Sequence, residues 1–219
     1  MAALVLTLIG TIGLTLSLTR TPAWYRPVPV GGDELESVRR GLESLIAQFD
    51  DALRRSEPFE IMIDQRVLSR WLAAREHIWP GIQRYVPSGV RWPVVAFESG
   101  RCRIGGLVTR GRVESVISAA LVLSVQEDHI HVRLRDVRIG AAPVPAGVIR
   151  RGLDAGMDGR LVLDANKASD VFDGVIIENT FTWRNGRRRF HVEKIELSAG
   201  RFVARIVPDH GLQLSAMFR

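Results

Sequence analysis

Apolar and polar residues follow one another along this chain with periods that change from segment to segment, and each change marks an element. Residues 2–18 read AALVLTLIGTIGLTLSL without a charge. As a helix this run reaches about 25 Å, just enough to cross the hydrocarbon core of a bilayer. Pro22, Pro27, Pro29, Gly31 and Gly32 then form a linker that cannot prolong a helix. From Asp33 onward Leu35, Val38, Leu42, Leu45, Phe49 and Leu53 recur at three and four residues, and Asp33 with Glu36 has the spacing of a capping box. This predicts an amphipathic helix that ends before Pro58 and packs its stripe into a core. Phe59 to Ile63 alternates as a short strand, and Asp64 caps a helix over Gln65 to Arg75 with Val67, Leu68, Trp71 and Leu72 on its apolar side.

Between Val94 and Ile139 the period becomes two, broken by turn signals at Ser99-Gly100, Arg110-Gly111 and Glu127-Asp128, as in a four-strand antiparallel meander. Val113, Ser115, Ile117, Ala119, Leu121, Leu123 and Val125 share one face of the third strand. Val116, Ala120 and Val122 make its other face partly apolar, so that strand is expected to be central and covered on both sides. In the next strand Ile130, Val132 and Leu134 give way to Val137 and Ile139, a slip of phase that predicts a bulge near Arg135-Asp136. Pro143 to Met157 is expected to cross over as a helix. Val175, Ile177, Asn179, Phe181 and Trp183 alternate as one strand up to Asn185-Gly186, a strong hairpin signal. The return strand from Arg188 slips phase again between Val192 and Ile195, and a strand with Phe202, Ala204 and Ile206 follows the turn at Ser198-Ala199-Gly200; a last short strand is expected to follow Pro208 to Gly211. The expected fold class is α+β, an N-terminal transmembrane helix followed by long twisted antiparallel meanders packed against amphipathic helices. The expected division is 1–20 as anchor, 21–32 as linker and 33–219 as a single α+β domain.

Composition sharpens this picture in three places. A net charge of +6 favours anionic partners, and since Lys167 and Lys194 are the only lysines, nearly all of that charge sits on arginine forks suited to phosphate; a biased genome composition gives the same excess. A lone cysteine, Cys102, excludes an intramolecular disulfide and a multi-cysteine metal site. No basic residue opens the apolar run and Thr21-Pro22-Ala23 is a poor cleavage match, so a retained anchor is expected rather than a secretory leader. Trp24 and Tyr25 then fall where aromatics sit at headgroup level. Arg20 and Arg26 after the span would hold the domain in the cytoplasm, but a single residue before it gives the rule little to count. The expectation is a single-pass protein of the cytoplasmic membrane with an extracytoplasmic domain.

Candidate chemistry is sparse. His129 and His131 project from one strand face and offer two metal ligands, yet Arg133 and Arg135 continue that face, which favours a solvated polar surface. Ser69, His77 and Asp64 lack a nucleophile elbow, and Gly105-Gly106 lacks the pattern of a phosphate loop. Phe181, Trp183 and Phe190 lie on the apolar phase and not among exposed arginines, against nucleic acid as a partner. No enzyme, cofactor or metal is expected. The hairpin tip with Arg184, Arg187, Arg188 and Arg189 is the candidate for lipid phosphates.

The uncharged span, the linker, FEIMIDQRVLSRWLAA at residues 59–74 and the long strands ISAALVLSVQEDHIHVRLRDVRIGAAPVP together resemble single-span bacterial proteins of the YpmS-like kind and domains related to the tubular lipid-binding superfamily. The likeness covers about residues 59–150 and is one of pattern. Where those families carry a Leu-Asn-x-x-Leu core, this chain has Leu68, Ser69 and Leu72, without the asparagine. The resemblance implies an elongated, curved sheet wrapped around helices, with an apolar groove for acyl chains. Trp71, Leu72, Leu121, Leu123, Phe181 and Trp183 are the residues expected to line such a groove. The functional expectation is a membrane-anchored, non-enzymatic domain that binds a membrane lipid or other apolar ligand. The alternative is a structural or assembly subunit of a cell-envelope complex, docked to a protein partner through the helix at residues 33–56 or a sheet edge.

Overall fold

The helical period after the linker becomes α1 (Gly32–Arg55) in the computed structural model, which describes residues 17–78, 89–111, 113–145, 174–183 and 188–209. The expected capping box does not form. The helix starts one residue before Asp33, on Gly31, whose carbonyl accepts the Glu34 and Leu35 N–H groups at 3.1 Å, and no side chain caps it. Glu36 turns instead to Arg39 at 2.9 Å, and that hydrogen bond holds its carboxyl below the ordinary range. Val38 and Leu42 are buried against Trp71 and Ala74, with Leu45 packed beside them. Leu42 and Leu45 therefore belong to a helix–helix core, the packing expected of this stripe.

Phe59 to Asp64 form β1, and the Asp64 carboxylate accepts the Arg66 N–H at 2.7 Å to start α2 (Gln65–Ala73), as expected; α3 (Arg75–Ile78) adds one turn. The expected meander follows as β2 (Arg91–Glu98), β3 (Arg101–Arg110), β4 (Val113–Gln126) and β5 (His129–Ile139). These strands are antiparallel in that order. The short β6 (Ala142–Pro143) pairs with one end of β5, and β7 (Val175–Glu178) with the other. Ser118 faces Arg138 while Ala120 faces Arg135, so β5 carries one residue more than β4 there, and Asp136 takes a positive φ of 49°. This is the expected bulge. A second sheet holds β8 (Phe181–Thr182), β9 (Arg189–Ser198), β10 (Arg201–Pro208) and β1, in the order β1-β10-β9-β8. Arg205 faces Lys194 and Ile206 faces Val192, which places the second expected slip at Glu193.

The segment expected as one strand over 175–183 is two strands in two sheets. It breaks at Asn179, after which the chain leaves β5 and joins β9. Ile130, Val125 and Val132 of the large sheet pack against Val192, Ala204 and Ile206 of the small one, with Phe49 from α1 among the partly buried residues around them. Most of the crossover expected over 143–157 and the last strand expected after Gly211 lie outside the described residues.

Candidate ligand groove

The large sheet has two chemically different faces, set by register. Val95, Ile104, Ala119 and Leu121 with Leu134 share one face. It is apolar across the middle of the meander, with Ser115 and Arg110 toward one end. The opposite face carries Arg103, Arg133, Arg135 and Arg138. On that second face Tyr25 is buried with Val94 and Val116, and its hydroxyl donates to the Trp92 carbonyl at 2.8 Å. Burial pushes the Tyr25 phenol up from its ordinary value. Trp24 lies edge-on to Tyr25 at 5.9 Å, and the Arg103 guanidinium stands 5.6 Å from its ring centre. Tyr25 therefore serves the core of the domain, a correction caused by its buried hydrogen bond to Trp92, and Trp24 packs partly buried beside it.

Among the described residues the apolar face is covered only in part. α2 lies along β2, an edge strand whose free backbone groups would otherwise invite pairing. The Ser69 hydroxyl exchanges hydrogen bonds with Val95, donating to its carbonyl at 3.2 Å and accepting its N–H at 3.3 Å. One turn earlier Gln65 Oε1 accepts the Phe97 N–H at 2.9 Å. These two polar side chains, four residues apart, fix the helix on the edge. Leu68 and Leu72 then meet Val95, Phe97, Cys102 and Leu121, while Asp64 is occupied as a cap and His77 is exposed. Ser69, His77 and Asp64 thus form no catalytic group.

Beyond the reach of α2 the face stays open as a groove of about 330 Å³. Leu72 forms one wall, Val90 and Pro93 another, and Val95, Ile104, Gly106, Ile117 and Ala119 the floor. Ile104 is 39% and Ile117 40% exposed, high values for isoleucines set into a concave surface. Gly105 and Gly106 make the sheet thin here. A side chain at Gly105 would come within 2.7 Å of Trp24, and one at Gly106 would run into Val90 from the opposite side. Two other cavities are larger but have mixed polarity. One of about 460 Å³ lies between α1 and β1 and includes Asp51, Arg55 and Glu60; one of about 540 Å³ includes Arg26, Asp64, Arg66 and Glu98.

Of the six residues expected to line a site, Leu72 alone lies in the groove. Trp71 is buried between α1 and α2, and Leu121 packs in the core under α2. Leu123 is half-buried on the apolar face opposite Val132. Phe181 stacks on Phe190 at 5.5 Å, and Trp183 meets Phe49 at 4.4 Å, both in an aromatic cluster far along the small sheet. Of the four hairpin arginines, Arg188 pairs with Asp50 at 3.3 Å and Arg189 is exposed; Arg184 and Arg187 lie outside the described residues. Sequence reading missed Ile104, Ile117 and Val90. The available signal was the glycine pair inside a strand, which marks close approach of a neighbour. No protein family, curated protein or solved structure matches this chain.

Proposed function

We propose that this chain is a membrane-anchored, non-enzymatic domain that holds the acyl part of a lipid in the groove between α2 and strands β2–β4. The observation that carries this reading is the groove itself, an open concavity lined by aliphatic side chains and glycine backbone with two half-exposed isoleucines on its floor. Its volume falls at the lower end of small-molecule sites, and such sites are mostly apolar. Residues 2–18 supply the tether in this reading, as a single-pass anchor in the cytoplasmic membrane with the domain on its outer side. Among the described residues no helix is long and apolar enough to cross a membrane, and residues 2–16 of this segment lie outside them.

Native mass spectrometry of the full chain, extracted from membranes in mild detergent, is expected to reveal a lipid adduct. Ile117→Glu, an exchange at a partly exposed position, should abolish the adduct, whereas Ile176→Glu, at a 60% exposed site on β7 away from the groove, should keep it. An empty wild-type chain, or an Ile117→Glu chain that still carries the lipid, would overturn the reading. A docking role in an envelope assembly is favoured by one other feature: β7 exposes Ile176 and Ile177 and pairs only with β5 among the described residues. For that role the Ile176→Glu chain should lose a partner that the Ile117→Glu chain retains.

A further inference from the structure

The last described turn of the uncharged segment is not separated from the domain by slack. Ala141 donates its N–H to the Ser17 carbonyl at 2.8 Å, and Gly140, at φ 60°, has the carbonyls of Ser17 and Leu18 packed where a side chain would stand. Eight residues later Tyr25 is locked into the core. The stretch from Ser17 to Tyr25 is thus fastened to the domain at both of its ends. Gly140 also marks one end of β5, whose 11 residues extend for about 34 Å from that corner.

Charge differs between the two ends of this strand. Near the corner stand Arg20, Arg135 and Arg138; Arg138 pairs with Asp136 at 2.7 Å, and Arg20 and Arg135 form no ion pair among the described residues. At the opposite end Glu127, Asp128 and Glu178 cluster at the β4–β5 turn and on β7. Gly106, Ile117 and Ile139 are register partners in one row across β3, β4 and β5, so the groove lies level with the basic corner. Of the hairpin arginines, Arg188 and Arg189 lie toward the other end, because β7 runs past His129 before the chain enters β8.

We propose that the β5–β6 corner is the bilayer-facing end of the domain. Arg20, Arg135 and Arg138 meet anionic phospholipid phosphates there, the groove floor at Gly106 and Ile117 opens at that level, and the carboxylates of the β4–β5 turn point away. This rests on the reading of residues 2–18 as the anchor. It moves the headgroup contact from the hairpin tip to the corner, since a surface of negative lipid attracts arginine and repels carboxylate.

The test uses the full chain in vesicles of phosphatidylcholine with a minority of phosphatidylglycerol. Single-cysteine variants Pro143→Cys and Asp128→Cys, each in a Cys102→Ala background, carry a fluorophore that is quenched by headgroup spin-labelled lipid. Quenching is expected to be several-fold stronger at position 143 than at 128. In Gly140→Val, which removes the seat of Ser17 and Leu18, the difference should shrink while the chain stays in the vesicles. A chain washed off by alkaline carbonate would overturn the anchor and this orientation together. A chain that resists the wash but is quenched equally at both positions, or more at 128, would overturn the orientation alone.

Discussion

Asn179 stands in for a strand residue opposite Val192: its side-chain carbonyl accepts the Val192 N–H at 2.9 Å, and its amide nitrogen donates to the Val192 carbonyl at 2.8 Å. Its own backbone N–H donates to Asp128 at 2.8 Å, at the tip of the large sheet. One residue, 2% exposed, therefore joins β9 of the small sheet to the β4–β5 turn of the large one. Asn179→Ala leaves a backbone donor and acceptor of Val192 unmatched in a buried place, at about 1–3 kcal/mol for each group. Urea unfolding should place the loss at about 2–6 kcal/mol. A loss no larger than that of an exposed exchange such as Thr180→Ala would show that water or a neighbouring group takes over both bonds.

A methyl group at Gly106 would meet Val90 and lie 3.3 Å from the Arg91 carbonyl. Gly106→Ala is expected to destabilise by about 1–3 kcal/mol, the range for overpacking. Val90→Ala in the same chain should recover part of that, with a coupling of about 1 kcal/mol or more in a double-mutant cycle. Additive effects would mean that the strain lies on the carbonyl side and that Val90 yields freely.

How much could be read in advance follows from what each pattern encodes. A residue inserted into a strand moves every later side chain to the other face, so the bulges at Asp136 and Glu193 were visible as slips in an alternation. The break at Asn179 was not, because Val175, Ile177, Phe181 and Trp183 keep one phase while the chain changes sheets. Trp24 and Tyr25 fit a membrane interface and a core equally well by composition; the bond from Tyr25 to Trp92, 67 residues away, decides between them. The groove was hidden for a related reason. Its opening depends on how far α2 covers the sheet, which is set by Gln65 and Ser69 reaching Phe97 and Val95, and no periodicity reports that distance.

The hold of α2 on the edge strand separates two substitutions that look alike in sequence. Asp64→Ala removes an exposed cap and should cost about 1 kcal/mol. Ser69 is 4% exposed, and Ser69→Ala strips the Val95 N–H and C=O of their partner, for about 1–3 kcal/mol. Since Leu72 rides on the same helix, Ser69→Ala should also weaken lipid retention in native mass spectrometry, and Asp64→Ala should not. Equal retention in both would detach the groove from the anchoring of α2.

Base should unfold this protein in a particular window. Burial pushes the Cys102 thiol from 9.0 up to about 11. The neutral form is the one the fold accepts, so its contribution is fully present below pH 9. Between pH 9 and 11 the unfolded chain gives up a proton that the folded chain keeps, and stability falls, on the order of 3 kcal/mol over the whole titration. Tyr25 acts in the same direction at higher pH, since burial raises its phenol and the ionised oxygen can no longer donate to Trp92. Stability measured by urea unfolding should thus be level up to about pH 9 and decline above it. Cys102→Ala should flatten the decline between pH 9 and 11, and Tyr25→Phe the part above. The same burial leaves about one thiol in a thousand ionised at pH 8, so iodoacetamide should label Cys102 promptly in urea and hardly at all in the folded chain. Rapid labelling of the native protein, or an unchanged alkaline decline in Cys102→Ala, would place this thiol in contact with water and outside the core beneath α2.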